Sequence, residues 1–400
     1  MRRLSFFFLF AICLAAAAAA VPSVSDFSVA TLGEDARISL LTSAPSDEEV
    51  FTLYGHAAFR VTDLAQGIDC VFNYGIFDFS RPHFIYRFAR GHTDYILGVN
   101  LYASYRREYE SRGSSLTEQI LNLTADERQR IWYALCYNAL PANRTYRYNF
   151  FFDNCATRLP ALLERYVDGE ILYSPAEGQL SFRRMINFCT RRHPWLTFGC
   201  DLALGAPADR IATPHEQLFL PEYLRAAFSE ATIRTPTGDV RPLVLAEEVC
   251  LGTSLKAEAE QSSPLSPTLV SWALFGLTLL ISLHEWFRRR RYPVFYRTFD
   301  ALLFFTAALG GTVLLFLSLF SEHPALWPNW SLAWLNPLYW MSFGLLFVRR
   351  RGVRVYFAVP AALLTAVLLG WYFIPQYFNP AFLPLAFTLW MRSTARTLLD

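Results

Sequence analysis

The chain has 400 residues, of which 53% are hydrophobic, 16% aromatic and 18% charged, and its formal net charge is +2. This composition excludes a disordered chain and disfavours a wholly soluble protein, in which about a quarter of the residues are charged. A net charge so close to zero gives no indication of a nucleic-acid partner.

The N-terminus has the pattern of a secretory signal. Two arginines follow Met1, an apolar run covers residues 4–20, and alanines near its end offer A-x-A cleavage sites. We therefore expect residues 1–20 to be a signal peptide that is removed from the mature chain. Residues 21–262 are then predicted to form one exported domain.

The first elements of the exported domain are predicted from aromatic and aliphatic runs. Residues 53–62 and 69–79 flank the turn-like segment 63–67, which is typical of a β-hairpin. A capping box at residues 124–127 predicts a helix that ends at about Ala139, before a proline.

A second group of elements surrounds a cysteine. The aromatic run 146–152 predicts a strand, and Asp153 and Asn154 are typical N-cap residues. Cys155 is therefore predicted to open a helix that continues through Leu163.

The rest of the exported domain continues the mixture of helices and strands. Residues 213–219 and 221–231 each have a proline near the start and predict helices, and residues 240–251 predict a closing strand or hairpin. The predicted fold class of the exported domain is α+β.

Residues 263–400 are predicted to form a membrane domain. Its apolar segments are residues 268–283, 301–320, 335–348, 355–374 and 381–390. A helical span needs about 20 residues, so the third and fifth segments are short. Arginines cluster after the first, third and fifth segments, the last pair being Arg392 and Arg396, whereas the loops 321–337 and 375–380 contain no lysine or arginine. The positive-inside rule then predicts five spans with the C-terminus in the cytoplasm.

Aromatic and basic residues suggest contacts with the membrane surface. The predicted interfacial belt consists of Trp327, Trp330, Trp334, Tyr339 and Trp340. Residues 183–195 interleave arginines with aromatic residues, and they fit either a helix on anionic headgroups or an ordinary solvated helix. His323, in the predicted outer loop, is expected to be an interfacial rather than a catalytic residue.

Cysteines are numerous enough for disulfides in an exported domain. Six remain after the predicted cleavage, and six allow 15 pairings, so the connectivity cannot be read from the sequence. Cys189 and Cys200 flank a proline-containing turn and are the first candidates for a pair.

One set of residues points to thiol chemistry. A predicted helix start favours the thiolate of Cys155, and His56 on the hairpin offers an imidazole. Backbone N–H groups at the helix start, together with Asn149 or Asn154, would stabilise an oxyanion. Alternation along the hairpin puts Asn73 on the same face as His56 and nearly opposite it, where it would orient the imidazole.

The same residue types also have structural explanations. A lone cysteine at a helix start is more often buried or paired, and a lone strand histidine is more often part of the packing. Asp69 and Asp78 are weaker candidates for the residue that orients the imidazole. No H-x-x-x-H or C-x-x-C motif occurs, so neither a metal site nor a cofactor is expected.

Four runs resemble the Lnb family, whose members in Bacteroides-type bacteria combine an exported N-terminal domain with a C-terminal membrane bundle. The runs are LYGHAAFRV at 53–61, VFNYGIFDF at 71–79, YRYNFFFDNCATR at 146–158 and DLALGAPAD at 201–209. The resemblance covers nearly the whole mature chain. It also implies a circularly permuted, papain-like fold of the NlpC type for the exported domain.

The resemblance implies lipoprotein N-acyltransfer at the inner membrane, with the catalytic domain in the periplasm. A phospholipid would acylate Cys155, and the α-amine of a diacylglyceryl-modified lipoprotein would accept the acyl chain from the thioester. His56 would act as acid and base, with Asn73 as the third residue. The candidate substrate-binding residues are Tyr54, Asn149, Asn154 and Arg158, the last for a phosphate headgroup.

Two other classes of function remain open from the sequence. A cysteine peptidase or amidase that acts on cell-wall peptides would use the same dyad. A non-enzymatic, membrane-anchored sensor would need neither Cys155 nor His56, and the presence of both argues against it.

Overall fold

A computed structural model of the chain describes residues 30–47, 49–77, 82–174, 178–252, 265–288, 294–348 and 352–399. The predicted signal peptide and Asp78 lie outside the described residues. The described strands are β1 Arg37–Ser43, β2 His56–Asp63, β3 Ile68–Phe77, β4 Asp94–Leu101, β5 Leu116–Leu121, β6 Thr145–Arg147, β7 Glu170–Leu172, β8 Thr232–Arg234, β9 Val240–Pro242 and β10 Val244–Leu251.

Helices surround these strands and make up the C-terminal region. The described helices of the N-terminal domain are α1 Phe84–Ala89, α2 Tyr102–Ser111, α3 Ala125–Ala139, α4 Arg158–Tyr166, α5 Phe182–Thr190, α6 Pro194–Ala203, α7 Pro214–Gln217 and α8 Pro221–Glu230. Those of the C-terminal region are α9 Pro267–Arg288, α10 Val294–Phe320, α11 Tyr339–Leu345, α12 Gly352–Leu369 and α13 Phe382–Leu399.

An antiparallel sheet with the strand order β10-β5-β1-β2-β3-β4-β6 organises the N-terminal domain, so the α+β prediction is confirmed. The predicted hairpin is also confirmed, since β2 pairs with β3 and Phe59 lies opposite Phe72. The first strand of the hairpin begins at His56 because Gly55 has a φ of 73° and ends the preceding 3-10 helix Val50–Tyr54. The smaller sheet has the order β7-β8-β9.

Apolar side chains cover both faces of the large sheet. Phe59 and Phe72 point to one face, where the Phe72 ring packs edge-on against Trp132 of α3 at 5.8 Å. Ala58, the neighbour of Phe59, points to the opposite face and packs with Tyr105 of α2, as strand alternation requires. Both faces of the large sheet are therefore buried against helices.

Several predicted elements are confirmed with small shifts at their ends. The capping-box helix is α3, in which Thr124 Oγ1 accepts from Glu127 N–H and the Glu127 carboxylate accepts from Thr124 N–H. The predicted helices near residues 213 and 221 are α7 and α8. Residues 240–251 form no hairpin, because β9 pairs with β8 in the smaller sheet, whereas β10 pairs with β5 and closes the large sheet as a single strand.

Two predicted elements near Cys155 are shorter than expected. Strand β6 ends at Arg147, and α4 begins at Arg158, so Cys155 lies in the turn before the helix. The cause is local side-chain competition for backbone hydrogen bonds. Asn149 Oδ1 accepts from the N–H groups two and three residues later, both at 3.2 Å, and this closes a turn where the strand was predicted.

The predicted disulfide between Cys189 and Cys200 is wrong. Both are free thiols, as are the other cysteines that the structure describes. The Cys200 sulfur lies 4.0 Å from the hydroxyl of Tyr54, so it packs against the 3-10 helix Val50–Tyr54 that precedes β2.

Three described helices of the C-terminal region are long and apolar enough to cross a membrane, namely α9, α10 and α12. They correspond to the first, second and fourth predicted spans. The complete five-span topology stays a prediction, because the described helices of the third and fifth segments, α11 and α13, are not among those that are long and apolar enough to cross a membrane.

The third segment consists of irregular chain followed by a short helix. The carbonyl carbon of Asn336 lies so close to Gly311 that an added Cβ would be only 2.4 Å away. Gly311 lies nine residues before the end of α10, about 14 Å along the helix at 1.5 Å per residue. The chain after α10 therefore turns back beside this helix before α11 begins, which leaves α11 only seven residues.

The fifth segment continues beyond its predicted end as α13. Arg392 and Arg396 were expected to follow the span as cytoplasmic flanking charges, but they lie inside the helix and are fully buried. Arg392 binds Asp300 of α10 and Glu285 of α9, with its Nη2 2.9 Å from each carboxylate, and Arg396 contacts the same two acids. The structure accommodates these two buried arginine charges because each is paired with the buried carboxylates of Glu285 and Asp300.

The first contact between the two domains is the Arg183 cluster, which consists of Arg183, Asp201, Asp209, Tyr377 and Asn379. The Arg183 guanidinium is 1% exposed and donates to the Asp209 carboxylate at 2.8 Å and to the Asp201 backbone carbonyl at 2.9 Å. From the C-terminal region, Asn379 Nδ2 donates to the Asp201 carboxylate at 2.8 Å, and the N–H of Tyr377 donates to Asp209 at 3.1 Å. Arg183 is therefore not part of a basic face on headgroups.

The second contact is the Glu322 contact, which joins the loop after α10 to residues 88–92. The Glu322 N–H donates to the carbonyl of Arg90 at 2.9 Å, and the Glu322 carboxylate binds His92 Nε2 at 2.9 Å. His323 Nε2 donates to the carbonyl of Phe88 at 2.6 Å, and burial lowers the pKa of its imidazole. His323 thus lies between the domains.

Candidate active site

His56 and Asn73 lie side by side at one end of the sheet. His56 begins β2, and Asn73 lies on β3 just beyond the last paired residues of the hairpin. His56 Nε2 and Asn73 Oδ1 are 2.6 Å apart. Since the amide oxygen can only accept, Nε2 carries a hydrogen and Nδ1 is the ring nitrogen left for another partner. The predicted juxtaposition of these two residues is therefore observed.

Cys155 lies against His56, although 99 residues separate them in sequence. The His56 ring and the backbone N–H groups of Ala57 and Ala156 lie close enough to the sulfur to favour its negatively charged form and so to lower the pKa of the thiol. These donors replace the helix start that the sequence predicted. They stabilise negative charge on sulfur in the same way, because backbone N–H dipoles point at it.

The pKa values of Cys155 and His56 shift in opposite directions. Burial is the largest influence on each and disfavours both charged forms. For Cys155, the His56 charge and the hydrogen bonds to sulfur outweigh burial and hold the pKa of the thiol below 9.0. For His56, the charges of Tyr109 and Cys155 and the hydrogen bonds to Cys155 and Asn73 raise the pKa to about 10. The proton is thus favoured on the imidazole rather than on the sulfur.

The other described cysteines show the opposite trend. Burial raises the pKa of the Cys70 and Cys136 thiols to about 12 and that of Cys189 to about 11, and it also raises the pKa of Cys200 and Cys250. Cys155 is therefore the thiol that its surroundings activate.

Gly75 brings the backbone of β3 close to Cys155 and His56. Its φ is 95°, and it lies where the β3–β4 register shifts between Asn73 and Ile76. A Cβ at this position would lie 3.5 Å from the Cys155 Cβ and 3.8 Å from the His56 Cε1. A glycine inside a strand is a signal for a bulge or a close backbone approach, and it would have identified this residue in the sequence.

Two residues predicted to bind substrate instead shape the turn that contains Cys155. Asn154 is 2% exposed, and its Oδ1 accepts from the N–H groups of Ala156 and Thr157 at 2.8 and 2.9 Å. Its amide nitrogen donates to the backbone carbonyls of residues 150 and 219, so all its hydrogen-bonding capacity is used within the protein. Asn149 Oδ1 is likewise occupied by the turn that it closes.

Arg158 and Tyr54 lie near the site but are also engaged. The Arg158 guanidinium makes a two-point ion pair with Asp153, at 2.6 and 2.9 Å, and lies 3.6 Å above the ring centroid of Tyr146. The Tyr54 ring packs edge-on against Phe150 at 5.0 Å, and burial raises the pKa of its hydroxyl. Neither side chain points a free charged group at Cys155.

Asp69, the weaker candidate that the structure describes, binds Arg60 rather than His56. The Asp69 carboxylate binds Arg60 at 2.8 and 3.0 Å, near the far end of the hairpin. Among the described residues, no three His, Cys, Asp or Glu side chains form a group that could hold a metal ion.

Tyrosine rings that the sequence analysis did not single out surround Cys155. Tyr95, Tyr146 and Tyr148 all lie close enough for the Cys155 charge to raise the pKa of their hydroxyls, in addition to burial. Tyr95 and Tyr148 stack with their ring centroids 4.0 Å apart. Tyr146 and Tyr148 are two residues apart in a predicted strand, and this spacing places both rings on the same face.

The comparisons with known proteins agree with this architecture. Residues 30–186 match the family described as the Lnb N-terminal periplasmic domain, and residues 258–400 match the Lnb transmembrane domain. No curated protein and no solved structure matches the chain. The N-terminal domain is thus periplasmic, and membrane spans follow it. Since the two matches together cover most of the chain, the protein belongs to the Lnb family.

Proposed function

We propose that the protein is an apolipoprotein N-acyltransferase. It transfers an acyl chain from a phospholipid, through a thioester on Cys155, to the α-amine of the diacylglyceryl-modified N-terminal cysteine of a lipoprotein. The observation that carries the proposal is the geometry of Cys155, His56 and Asn73, in which an activated thiol lies beside an oriented imidazole. Membership of the Lnb family is consistent with lipoprotein N-acylation.

The position of the dyad in the fold fits substrates that stay in a membrane. His56 begins β2, and β3 leaves the site at Phe77 to enter the connection that contains α1. This connection makes the Glu322 contact with the outer end of α10. The dyad is therefore at the end of the sheet that faces the membrane domain. We propose that this domain lies in the inner membrane with its C-terminus in the cytoplasm, as the arginine distribution predicts.

In the first half-reaction, the Cys155 thiolate attacks the ester carbonyl carbon of a phospholipid. The resulting tetrahedral oxyanion collapses, and the bond from the carbonyl carbon to the glycerol oxygen breaks. The His56 imidazolium gives its proton to that oxygen, so a lysophospholipid leaves and a thioester remains. Asn73 holds the ring orientation through the 2.6 Å hydrogen bond to Nε2.

In the second half-reaction, the lipoprotein α-amine attacks the thioester carbonyl carbon. Neutral His56 takes a proton from the amine nitrogen while the bond from carbon to sulfur breaks. The products are an amide on the lipoprotein and the thiolate–imidazolium pair with which the cycle began. The same order of groups, His before Cys, supports the proposal of a permuted, papain-like fold for the N-terminal domain.

The proposal predicts a covalent intermediate that intact-mass spectrometry detects. Purified full-length protein incubated with phosphatidylethanolamine is expected to gain the mass of one acyl chain, which hydroxylamine removes. Cys155→Ala should gain none. Cys250→Ala is the matched control and should be acylated like the wild type, because the pKa of that thiol is raised and it lies away from His56.

The absence of an acyl adduct on the wild-type protein would point to a different function. Wild-type protein that is folded and reduced, yet acquires no adduct from phosphatidylethanolamine, would contradict the acyltransferase proposal. Cleavage of peptidoglycan fragments by the same preparation would then assign the dyad to a peptidase or amidase.

A further inference from the structure

Helix α1 exposes large apolar side chains at the edge of the N-terminal domain. Ile85 is 84% exposed, Tyr86 56% and Phe88 45%. The described chain from residue 82 to residue 92 carries two arginines and two histidines and no acidic residue. Two of these basic groups are paired within the protein, Arg87 with Asp94 and His92 with Glu322, both at 2.9 Å. The contiguous exposed apolar side chains are therefore the feature that is typical of a surface that binds a membrane interface.

The position of α1 relative to a membrane-spanning helix supports a lipid as the occupant of this surface. The ring of Tyr86 lies 6.4 Å from that of Phe316, which is one turn before the end of α10. Arg90 Nε donates to the carbonyl of Phe320, the last residue of α10, at 3.2 Å. One turn corresponds to about 5.4 Å of depth. Tyr86 is therefore level with the last turn of a transmembrane helix.

We propose that α1 is an interfacial anchor that inserts Ile85 and Tyr86 into the outer leaflet beside the dyad. The exposed side chains of Ile85 and Tyr86 lie at the depth of the last turn of α10, where the boundary between headgroups and acyl chains accommodates apolar and aromatic side chains. Strand β3 carries Asn73 and Gly75 and leads into α1. The anchor therefore keeps this end of the sheet, where the dyad lies, close to the lipid surface. Anchoring itself is independent of the chemistry, whereas its effect on acyl donor capture depends on the proposed function.

Photocrosslinking tests the anchor without any need for catalysis. The full-length protein carries p-benzoylphenylalanine in place of Ile85 or, as the control, of Leu64, and is placed in nanodiscs of phosphatidylethanolamine and phosphatidylglycerol. Leu64 is 80% exposed but lies at the opposite end of the hairpin. Crosslinks to phospholipid are expected at position 85 and not at position 64. Equal labelling at both positions, labelling at neither, or crosslinks from position 85 to protein would overturn the proposal.

An activity measurement tests the consequence. Ile85→Glu is expected to lower acylation of Cys155 from phospholipid in the same nanodiscs at least tenfold, while Leu64→Glu leaves it unchanged. The alkylation rate of Cys155 should be the same in both variants, because neither position touches the dyad. Unchanged acylation in Ile85→Glu would contradict donor capture by α1. Failure of the proposed function would instead show as no acylation in the wild type.

A separate observation concerns Tyr146, whose ring is 8% exposed. Within the described part of the chain, its buried hydroxyl has no hydrogen-bond partner. The Cβ position of Gly75, which lies 3.5 Å from the Cys155 Cβ, is 3.9 Å from this hydroxyl. A buried hydroxyl without a partner is costly unless a ligand supplies one.

We infer that the Tyr146 hydroxyl donates a hydrogen bond to the oxyanion formed on attack by Cys155. The Gly75 Cβ position is in van der Waals contact with the Cys155 Cβ, the His56 ring and the Tyr146 hydroxyl, so the space that the missing side chain leaves adjoins all three groups. The Arg158 guanidinium, 3.6 Å above the ring, strengthens the hydroxyl as a donor because its positive charge favours negative charge on the ring oxygen. This inference rests on the proposed acyl transfer.

A pair of isosteric variants separates this role from a structural one. Tyr146→Phe is expected to slow acylation of Cys155 by about 10²-fold, the effect of losing one oxyanion donor, with unchanged thermal stability and Cys155 alkylation. Tyr74→Phe loses a 3.0 Å hydrogen bond from Asn138 and should lower stability while acylation continues. Full acylation in Tyr146→Phe, or a loss of stability without a loss of rate, would overturn the inference. A wild type without acylation would point to the proposed function instead.

Discussion

Replacing His56 by alanine is expected to slow acylation of Cys155 by about 10³-fold, within the usual range for loss of a general acid and base. It should also move alkylation of Cys155 to higher pH. Burial, which raises the pKa of the thiol, remains in the variant, whereas the opposing charge and hydrogen bond are lost. The pKa of Cys155 therefore rises from below 9.0 in the wild type to above it.

The expected pH profile of Cys155 acylation has two limbs, one at low pH and one at high pH. In the wild type, the rate of acylation falls as the pH drops through the lowered pKa of Cys155, because the thiolate is protonated. It also falls as the pH rises through the pKa of His56, about 10, because the imidazolium loses its proton. In His56→Ala only the first limb remains, and it lies at higher pH. The rate of acylation of Cys155 between pH 6 and 11 measures both limbs, and the rate of iodoacetamide modification of the Cys155 peptide over the same range measures the thiolate limb alone.

Two further variants sharpen this experiment. Asn73→Ala loses the hydrogen bond to Nε2 but keeps the imidazole, so its rate should fall less than that of His56→Ala. His215→Ala is the control, because its 58% exposed side chain binds Glu164 away from the site. An alkylation profile in His56→Ala that matches the wild type would mean that His56 does not activate the thiol.

Arg183→Ala is expected to destabilise the protein by about 3–5 kcal/mol, the cost of removing one partner from a buried ion pair. The variant leaves Asp201, which is 0% exposed, without the guanidinium that binds its carboxylate and its carbonyl. Arg183→Lys should recover little of this loss, because an ammonium cannot reach Asp201, Asp209 and the nearby carbonyls at once. Thermal unfolding of the detergent-solubilised protein, followed by tryptophan fluorescence, measures the change.

The neighbouring residue provides the matched control. Arg184 is exposed and follows Arg183 on the same helix, so Arg184→Ala should change stability by less than about 0.5 kcal/mol. Similar stabilities for Arg183→Ala and the wild type would show that the Arg183 cluster does not hold the two domains together.

The sequence could predict features that depend on neighbours in the chain. The pairing of His56 with Asn73 followed from strand alternation across one hairpin, and the bounds of α3 followed from its capping box and the proline beyond it. Both signals are local, so the residues that cause the structure are adjacent to the residues that form it.

Features that depend on distant partners could not be predicted in this way. The turn at Cys155 depends partly on Asn154, whose amide nitrogen binds the carbonyl of Phe219 in a remote loop. Trp334 and Tyr339 were expected in an interfacial belt, but both are 2% exposed because the chain after α10 turns back into the bundle. Composition cannot distinguish an aromatic ring that faces lipid from one that faces another helix.

The contacts between the domains also determine how the protein can meet its substrates. The Arg183 cluster and the Glu322 contact bind the periplasmic domain to the membrane domain at separate places, so the dyad does not swing on a flexible tether. For the proposed transfer, the donor and the acceptor must then reach the dyad by lateral diffusion in the plane of the membrane. The concentration that governs each half-reaction is therefore the mole fraction of substrate in the bilayer. Added inert lipid should slow turnover, just as dilution of the substrate slows a soluble enzyme.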